Sequence, residues 1–487
     1  ILPNAYNIPM FSTIDRGVAV RILLAAVLIS LLNLAPRPHA FREALDQARQ
    51  NLSLDDTPAV FEQVNRAATL IPWRVDLAVL AARYALESEL PLQAIQILEQ
   101  PHVASRLGSA DLLVLGDAYQ KYGDSFMAAA IWQRVAELAP SPAIYQRLAD
   151  YHLTQDDYPA AIEDLRHLLQ FQPADASLNY RIGLLYCTVD PDAALAYLAQ
   201  AAGLDPTLAP QAQELQRKIR TARLFEEPAY TFTATGRALA MLDEWKLAEA
   251  AFKQATQLRP DYAEGWAFLG EARQHVMQAS SSEFQGLAEL QRALHLDPTS
   301  VSANLLMGLY FTRQGDHQLA GNYIQTALAL EPDNPLLLAE LANVLAQQGD
   351  LPAAQQAYQH AISMAPDDPM FYRLLAEFCL SQQIQLRQTG LPAARSAVLL
   401  SPQEPHSLDV MGHTLLMLED LLSAERFLLR ALAIDPSYAP AHLHLGMVFL
   451  QRGDMERGRQ ELDLAESLGS GTWTASQAQR FIAYYYP

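Results

Sequence analysis

Between Pro298 and Pro366 the chain repeats itself at a fixed interval of 34 residues. LLMGLYFTRQGDHQLAGNYIQTALALEP is followed by LLLAELANVLAQQGDLPAAQQAYQHAISMAP, and the two segments align without a gap. Gly308 matches Ala342, Gly315 matches Gly349, Ala320 matches Ala354, Ala327 matches Ala361, and Pro332 matches Pro366. A period this short holds two helices and two turns, so one unit cannot enclose a core and must bury its apolar face against the next. The small residues mark where helices cross closely. The closing proline cannot continue a helix and so fixes each unit's end, and a proline just after a turn, as at Pro159 and Pro352, suits the first turn of a second helix.

The 34-residue length, the small residue within an apolar first helix, the Gly-Asp turn and the spaced alanines of the second helix together resemble the tetratricopeptide repeat (TPR). Trp266, Leu269 and Gly270 supply the W-x2-L-G start shown by that family. The resemblance implies an all-α fold, a right-handed TPR superhelix (α-solenoid), here of about twelve helix pairs in two blocks. It also implies that the first helices line a groove for protein partners.

The rest of the chain extends this ruler. Units are expected to end at Pro72, Arg106, Pro140, Pro173 and Pro206, and in a more regular second block at Pro260, Pro298, Pro332, Pro366, Pro402, Pro436 and Ser470. The interval from Pro206 to Pro260 is too long by APQAQELQRKIRTARLFEEP, which reads as an extra charged helix joining two blocks. A lengthened loop is expected around QASSSEFQ, and a distorted unit with a projecting helix between Asp367 and Pro402. The segments so defined are an irregular tail (1–16), a transmembrane helix (17–36), an N-terminal TPR block (37–206), the joint (207–228), a C-terminal TPR block (229–470) and a capping segment (471–487). The cap is needed to cover the last exposed repeat face, with Tyr484, Tyr485 and Tyr486 as cap or contact.

GVAVRILLAAVLISLLNLA, residues 17–35, is the long apolar run of the sequence, and as a helix it spans roughly 28 Å, close to the hydrocarbon thickness of a bilayer. Ile22, Leu23, Leu24, Val27, Leu28, Leu31 and Leu32 would face lipid. The shorter uninterrupted part also suits a signal peptide, but Pro38 is poorly placed for cleavage near Ala40. A retained single-pass anchor is the reading taken, with the repeats expected outside the cytoplasm. Arginines flank the run on both sides and leave the orientation nearly balanced.

The formal net charge is −20, and only Lys121, Lys218, Lys246 and Lys253 are lysines, which argues against a nucleic-acid partner. Cys187 and Cys379 lie in different repeats without metal or redox spacing and read as buried small hydrophobes. No phosphate loop, HExxH or GxSxG is present, and the repeats, joint and cap account for the chain after the anchor. The expectation is therefore a protein that is not an enzyme and needs no cofactor or small-molecule substrate. A weak metal candidate is His406, Asp409 and His413, one face of a helix, with His442 and His444 one repeat on.

The expected partner-binding groove comprises Leu305, Leu309, Leu336, Asn343, Met370, Arg373, Glu377, Leu380, His406, Asp409, His413, Leu416, Met417, Leu443, Met447 and Leu450. Its Leu and Met content suits an amphipathic helix of a partner, although part of the set could be inter-repeat core. The chaperone-tail binding members of the family grip a terminal carboxylate with Lys, Asn and Arg; of these only Asn343 and Arg373 are found in the groove here. The function expected is a scaffold or accessory subunit of a membrane protein complex. The alternatives are an envelope or appendage assembly factor holding clients transiently, and a metal- or cofactor-handling protein using the His406/His413 cluster.

Overall fold

The structure is a computed structural model that describes residues 39–276 and 285–486. Among the described residues it is all helical, with 27 α-helices, one π-helical turn and no strand. The expected tail, membrane span and most of the lengthened loop lie outside the described residues. Among the described residues no helix is long and apolar enough to cross a membrane.

Two compact units are present, one ending at Leu178 and the other beginning at Asn179. The first contains α1 (His39–Ser53), α2 (Thr57–Leu70), α3 (Val75–Glu87), α4 (Pro91–Leu98), the short α5 (Pro101–Ala104), α6 (Ser109–Tyr122), α7 (Ser125–Leu138), α8 (Pro142–Thr154) and α9 (Tyr158–Phe171). The division falls within α10 (Ala176–Val189). The second unit continues with α11 (Pro191–Leu204), α12 (Ala209–Arg223), α13 (Pro228–Met241), α14 (Trp245–Leu258), α15 (Ala263–Val276) and α16 (Leu287–Leu296). Then follow α17 (Val301–Arg313), α18 (His317–Leu330), α19 (Pro335–Gln347), α20 (Leu351–Met364), α21 (Pro369–Gln382) and, after a π-helical turn at Leu386–Gly390, α22 (Leu391–Leu400). The unit closes with α23 (Pro405–Met417), α24 (Leu421–Ile434), α25 (Ala439–Gln451), α26 (Met455–Leu468) and α27 (Trp473–Tyr485). Setting α5, α12 and α27 aside, consecutive helices form twelve pairs.

Several pairs are locked by a glycine of the first helix. A Cβ built at Gly308 would lie 2.6 Å from Ile324 Cγ1, and one at Gly412 2.6 Å from Leu428 Cγ. The knob stands sixteen residues after the glycine in both pairs, and Leu462 meets Gly446 in the same register. Ile324, Leu428 and Leu462 are fully buried, and each such side chain contributes about 1.5–3 kcal/mol on leaving water.

The Gly-Asp turn divides two tasks. Gly349 takes φ of +84°, open to glycine without steric cost, and ends α19. Asp350 then caps α20 by accepting from Ala353 N at 3.2 Å, one of the donors a helix start leaves unpaired. Asp316 and Asp454 do the same for α18 and α26.

The charged helix expected at 207–228 is α12. It buries Ala212, Leu215, Ile219 and Ala222 along one stripe and packs against both α11 and α13 within the second unit. Gln216 Nε2 donates to Leu195 O at 2.9 Å, so the one buried amide on that stripe is paired.

The irregular unit after Asp367 does not project a helix. α21 has 14 residues, like several of its neighbours, and the surplus is taken up after it. Gln383 and Gln385 adopt positive φ (53° and 44°), the π-helical turn follows, and α22 is shortened to 10 residues. Gly390 closes this against Cys379, where a Cβ would lie 3.1 Å away. Cys187 and Cys379 are free and fully buried, and burial pushes their thiols up to about 12 and about 11.

Candidate partner-binding face

In the second unit, first helices of neighbouring pairs touch: α13 and α15, α15 and α17, α19 and α21, α21 and α23, α23 and α25. No comparable contact joins successive second helices among the described residues. Helices that stand closer together on one side make that side the inner one, so the first helices line the concave face of this unit.

The ten apolar residues among the sixteen sequence-selected positions divide into two groups there. Leu305, Leu309, Leu336, Met370, Met417 and Met447 keep exposed apolar surface, with Leu336 at 53 %. Leu380, Leu416, Leu443 and Leu450 are at most 8 % exposed and belong to the core. Leu380, Leu416 and Leu450 share one repeat position and Leu443 stands at the position of Arg373 and Asp409, and all four pack within the hydrophobic clusters of the array rather than facing the groove.

The polar members bind one another across repeats. Arg373 Nη1 donates to Glu404 Oε1 at 2.7 Å, and Glu404 also accepts from Ser401 and Ser407. His406 Nε2 lies 2.6 Å from Glu377 Oε1, joining α23 to α21. Asp409, 3 % exposed, pairs with His444 Nδ1 of α25 at 2.7 Å. Asn343 takes the Tyr358 hydroxyl, an α19–α20 bond within one pair.

His413 stacks on His444 with ring centroids 4.0 Å apart. Burial, reinforced by that neighbouring imidazole, holds the His413 pKa well below the usual histidine value, so its ring stays neutral. His442 is the opposite case: burial opposes its charge, but Glu461 at 2.6 Å and Pro436 O at 3.0 Å face both ring nitrogens and raise its pKa. Both nitrogens can donate only as imidazolium.

The metal candidate is corrected by these bonds. His406 and Asp409 are turned to partners on different helices, His413 is stacked, and among the described residues no three ligating side chains converge.

Sequence reading missed a further inter-repeat lock. Arg313 of α17 makes a two-point ion pair with Glu271 of α15, Nη1 to Oε1 at 3.1 Å and Nη2 to Oε2 at 2.5 Å. Burial of Glu271 favours its protonation, but the hydrogen bond from His275 and the charge of Arg313 outweigh it and hold its pKa low. Complementary groups about one period apart mark the other locks, 31 residues for Arg373 and Glu404 and 35 for Asp409 and His444, but Arg313 and Glu271 are 42 apart because the lengthened loop lies between them, and the period does not find that pair.

Tyr486 serves the cap, its ring packed with Phe481 and Ile482 over Leu450 and Leu462 and its hydroxyl donating to Met455 O. Tyr484 remains 78 % exposed.

Two tetratricopeptide repeat families match the sequence, one over residues 285–335 and one over residues 311–378. No curated protein matches it. Among solved structures, yeast Tom70 is similar at 16% identity and a TM-score of 0.43, over 91% of this chain and 95% of that one. Cut9–Hcn1, an APC/C hetero-tetramer, is similar at 14% identity and 0.39, over 93% and 98%. YrrB, described as a TPR protein with an unusual peptide-binding site, is similar at 16% identity and 0.29, over 39% and 97%. Residues 285–378 are tetratricopeptide repeats, set within an all-helical, TPR-like array.

Proposed function

We propose that this protein is a protein–protein interaction scaffold without catalytic activity, serving as an accessory subunit of a membrane protein complex. The observation that carries the reading is the inner face of the second unit, where successive first helices from α17 to α25 each keep a Leu or Met side chain partly exposed. A row of that kind, fixed by the packing beneath it, offers a preformed site for an amphipathic segment. In this reading the apolar run at residues 17–35 is a single-pass anchor, the repeats stand outside the cytoplasm, and span and tail are held against partner subunits.

The test is purification from the native membrane in mild detergent, with and without residues 1–38. Stoichiometric partners that disappear on truncation support the accessory-subunit reading. Isolation alone would sink it, and a substoichiometric mixture of clients would replace it with transient assembly-factor activity.

A further inference from the structure

The apolar row on α17–α23 lies between two acidic borders. From residue 301 to 420 the sequence carries 12 carboxylates and 4 arginines. The turns from first to second helices hold Asp316, Asp350, Glu419 and Asp420; the turns from second to first helices hold Glu331, Asp333, Asp367 and Asp368. Both edges of the inner face are thus anionic. The two arginines on its first helices are already committed, Arg313 to Glu271 and Arg373 to Glu404, leaving Arg387 on the π-helical turn and Arg395 on α22.

We infer that this face takes a cationic amphipathic helix from a partner protein, its Leu, Met or Phe stripe laid on Leu305, Leu336 and Met370 and its flanking Lys and Arg set against the two carboxylate borders. The inference rests on the scaffold reading and specifies the partner's chemistry. A helix about 10–12 Å across presents an apolar stripe with polar flanks on both sides, the pattern these repeats match in apolar character and complement in charge. An anionic or uncharged helix would find the same apolar row but unfavourable or indifferent edges, and like-charge apposition selects against wrong partners.

The test uses the full chain and two labelled synthetic helices of about 18 residues, roughly 27 Å long. They share one Leu/Met face; one is flanked by Lys and the other by Glu. Binding is read by fluorescence anisotropy. The cationic helix is expected to bind at least about tenfold more tightly, and to weaken as salt shortens the screening length from roughly 10 Å to 3 Å. Leu336→Asp places a charge in the row at an already exposed site and is expected to weaken binding about tenfold. Leu422→Asp, on the second helix α24 and likewise exposed, is expected to leave it unchanged. Circular dichroism confirms that both variants stay folded. Equal binding of the two helices overturns the inference, as does equal loss in the two variants, which would mean adsorption to a generally acidic surface. A native partner that cross-links to α17–α23 through an acidic segment would overturn this inference and leave the scaffold reading standing; lack of any native partner would remove the scaffold itself.

Discussion

The inner face of the second unit has two halves built on the same repeat positions. On α17 and α19 the positions hold Leu305, Leu309 and Leu336, which keep exposed apolar surface. On α21 and α23 the corresponding positions hold Arg373, Glu377, His406, Asp409 and His413, most of them bonded to the neighbouring repeat, with α25 supplying His444 as the partner of Asp409. The difference teaches that a position on the concave side of a repeat is not by itself a binding position. Where the side chain finds a complementary group one repeat away it becomes part of the array's own adhesion; where it does not, it stays available.

The sharpest way to break that contrast is Asp409→Ala. It leaves His444 Nδ1 buried without its hydrogen-bond partner and is expected to cost about 3 kcal/mol, the upper end of the scale for leaving a buried polar group unsatisfied, measured by urea unfolding. Gly412→Ala should follow at about 1–3 kcal/mol, because the added methyl meets Leu428 and the backbone of α24 in a packed seam. Gly349→Ala is expected to cost about 1 kcal/mol through its positive φ alone, since nothing crowds the site. The reverse change, Glu419→Gly at φ of 64°, should gain up to a similar amount. Leu336→Ala, on the open half, should fall within about 0.5 kcal/mol of the parent.

Two histidines of the bonded half make the stability pH-dependent in opposite directions. His413 has a lowered pKa in the folded chain, so the unfolded chain binds the proton more readily. Its share of stability is complete above the unfolded value near pH 6.5 and is lost as pH falls below it. His442 has a raised pKa. Its share is complete below about pH 6.5 and is lost as pH rises through the higher folded value. Urea midpoints across pH 5–9 should accordingly flatten on the acid side in His413→Phe and on the alkaline side in His442→Gln. A profile that leaves both limbs unchanged in these variants would remove the histidines from the seam's energetics.

Much of the fold was legible because its signals are local. The 34-residue interval, the glycine that admits a knob sixteen residues on, and the aspartate that caps a second helix each act within one pair, so reading along the chain finds them. The irregular unit was located correctly by its length but not its shape. Nothing in SQQIQLRQTG announces that two glutamines adopt positive φ to make room for a π-helical turn, since glutamine has no intrinsic preference for that region. The site was only partly legible. Leu443 occupies the repeat position of Leu305 yet is buried where Leu305 stays partly exposed, and repeat position alone does not separate a side chain that faces a groove from one that is packed.

By itself, then, the sequence determined the repeat, its helices, its turns and the knobs that close each pair, because those depend on residues at most a few turns apart. Only the tertiary structure decided which inner-face residues remain open. In the second unit first helices meet neighbours about one period away, and whether an aspartate there finds a histidine or a leucine stays partly open depends on how the two helices are placed together.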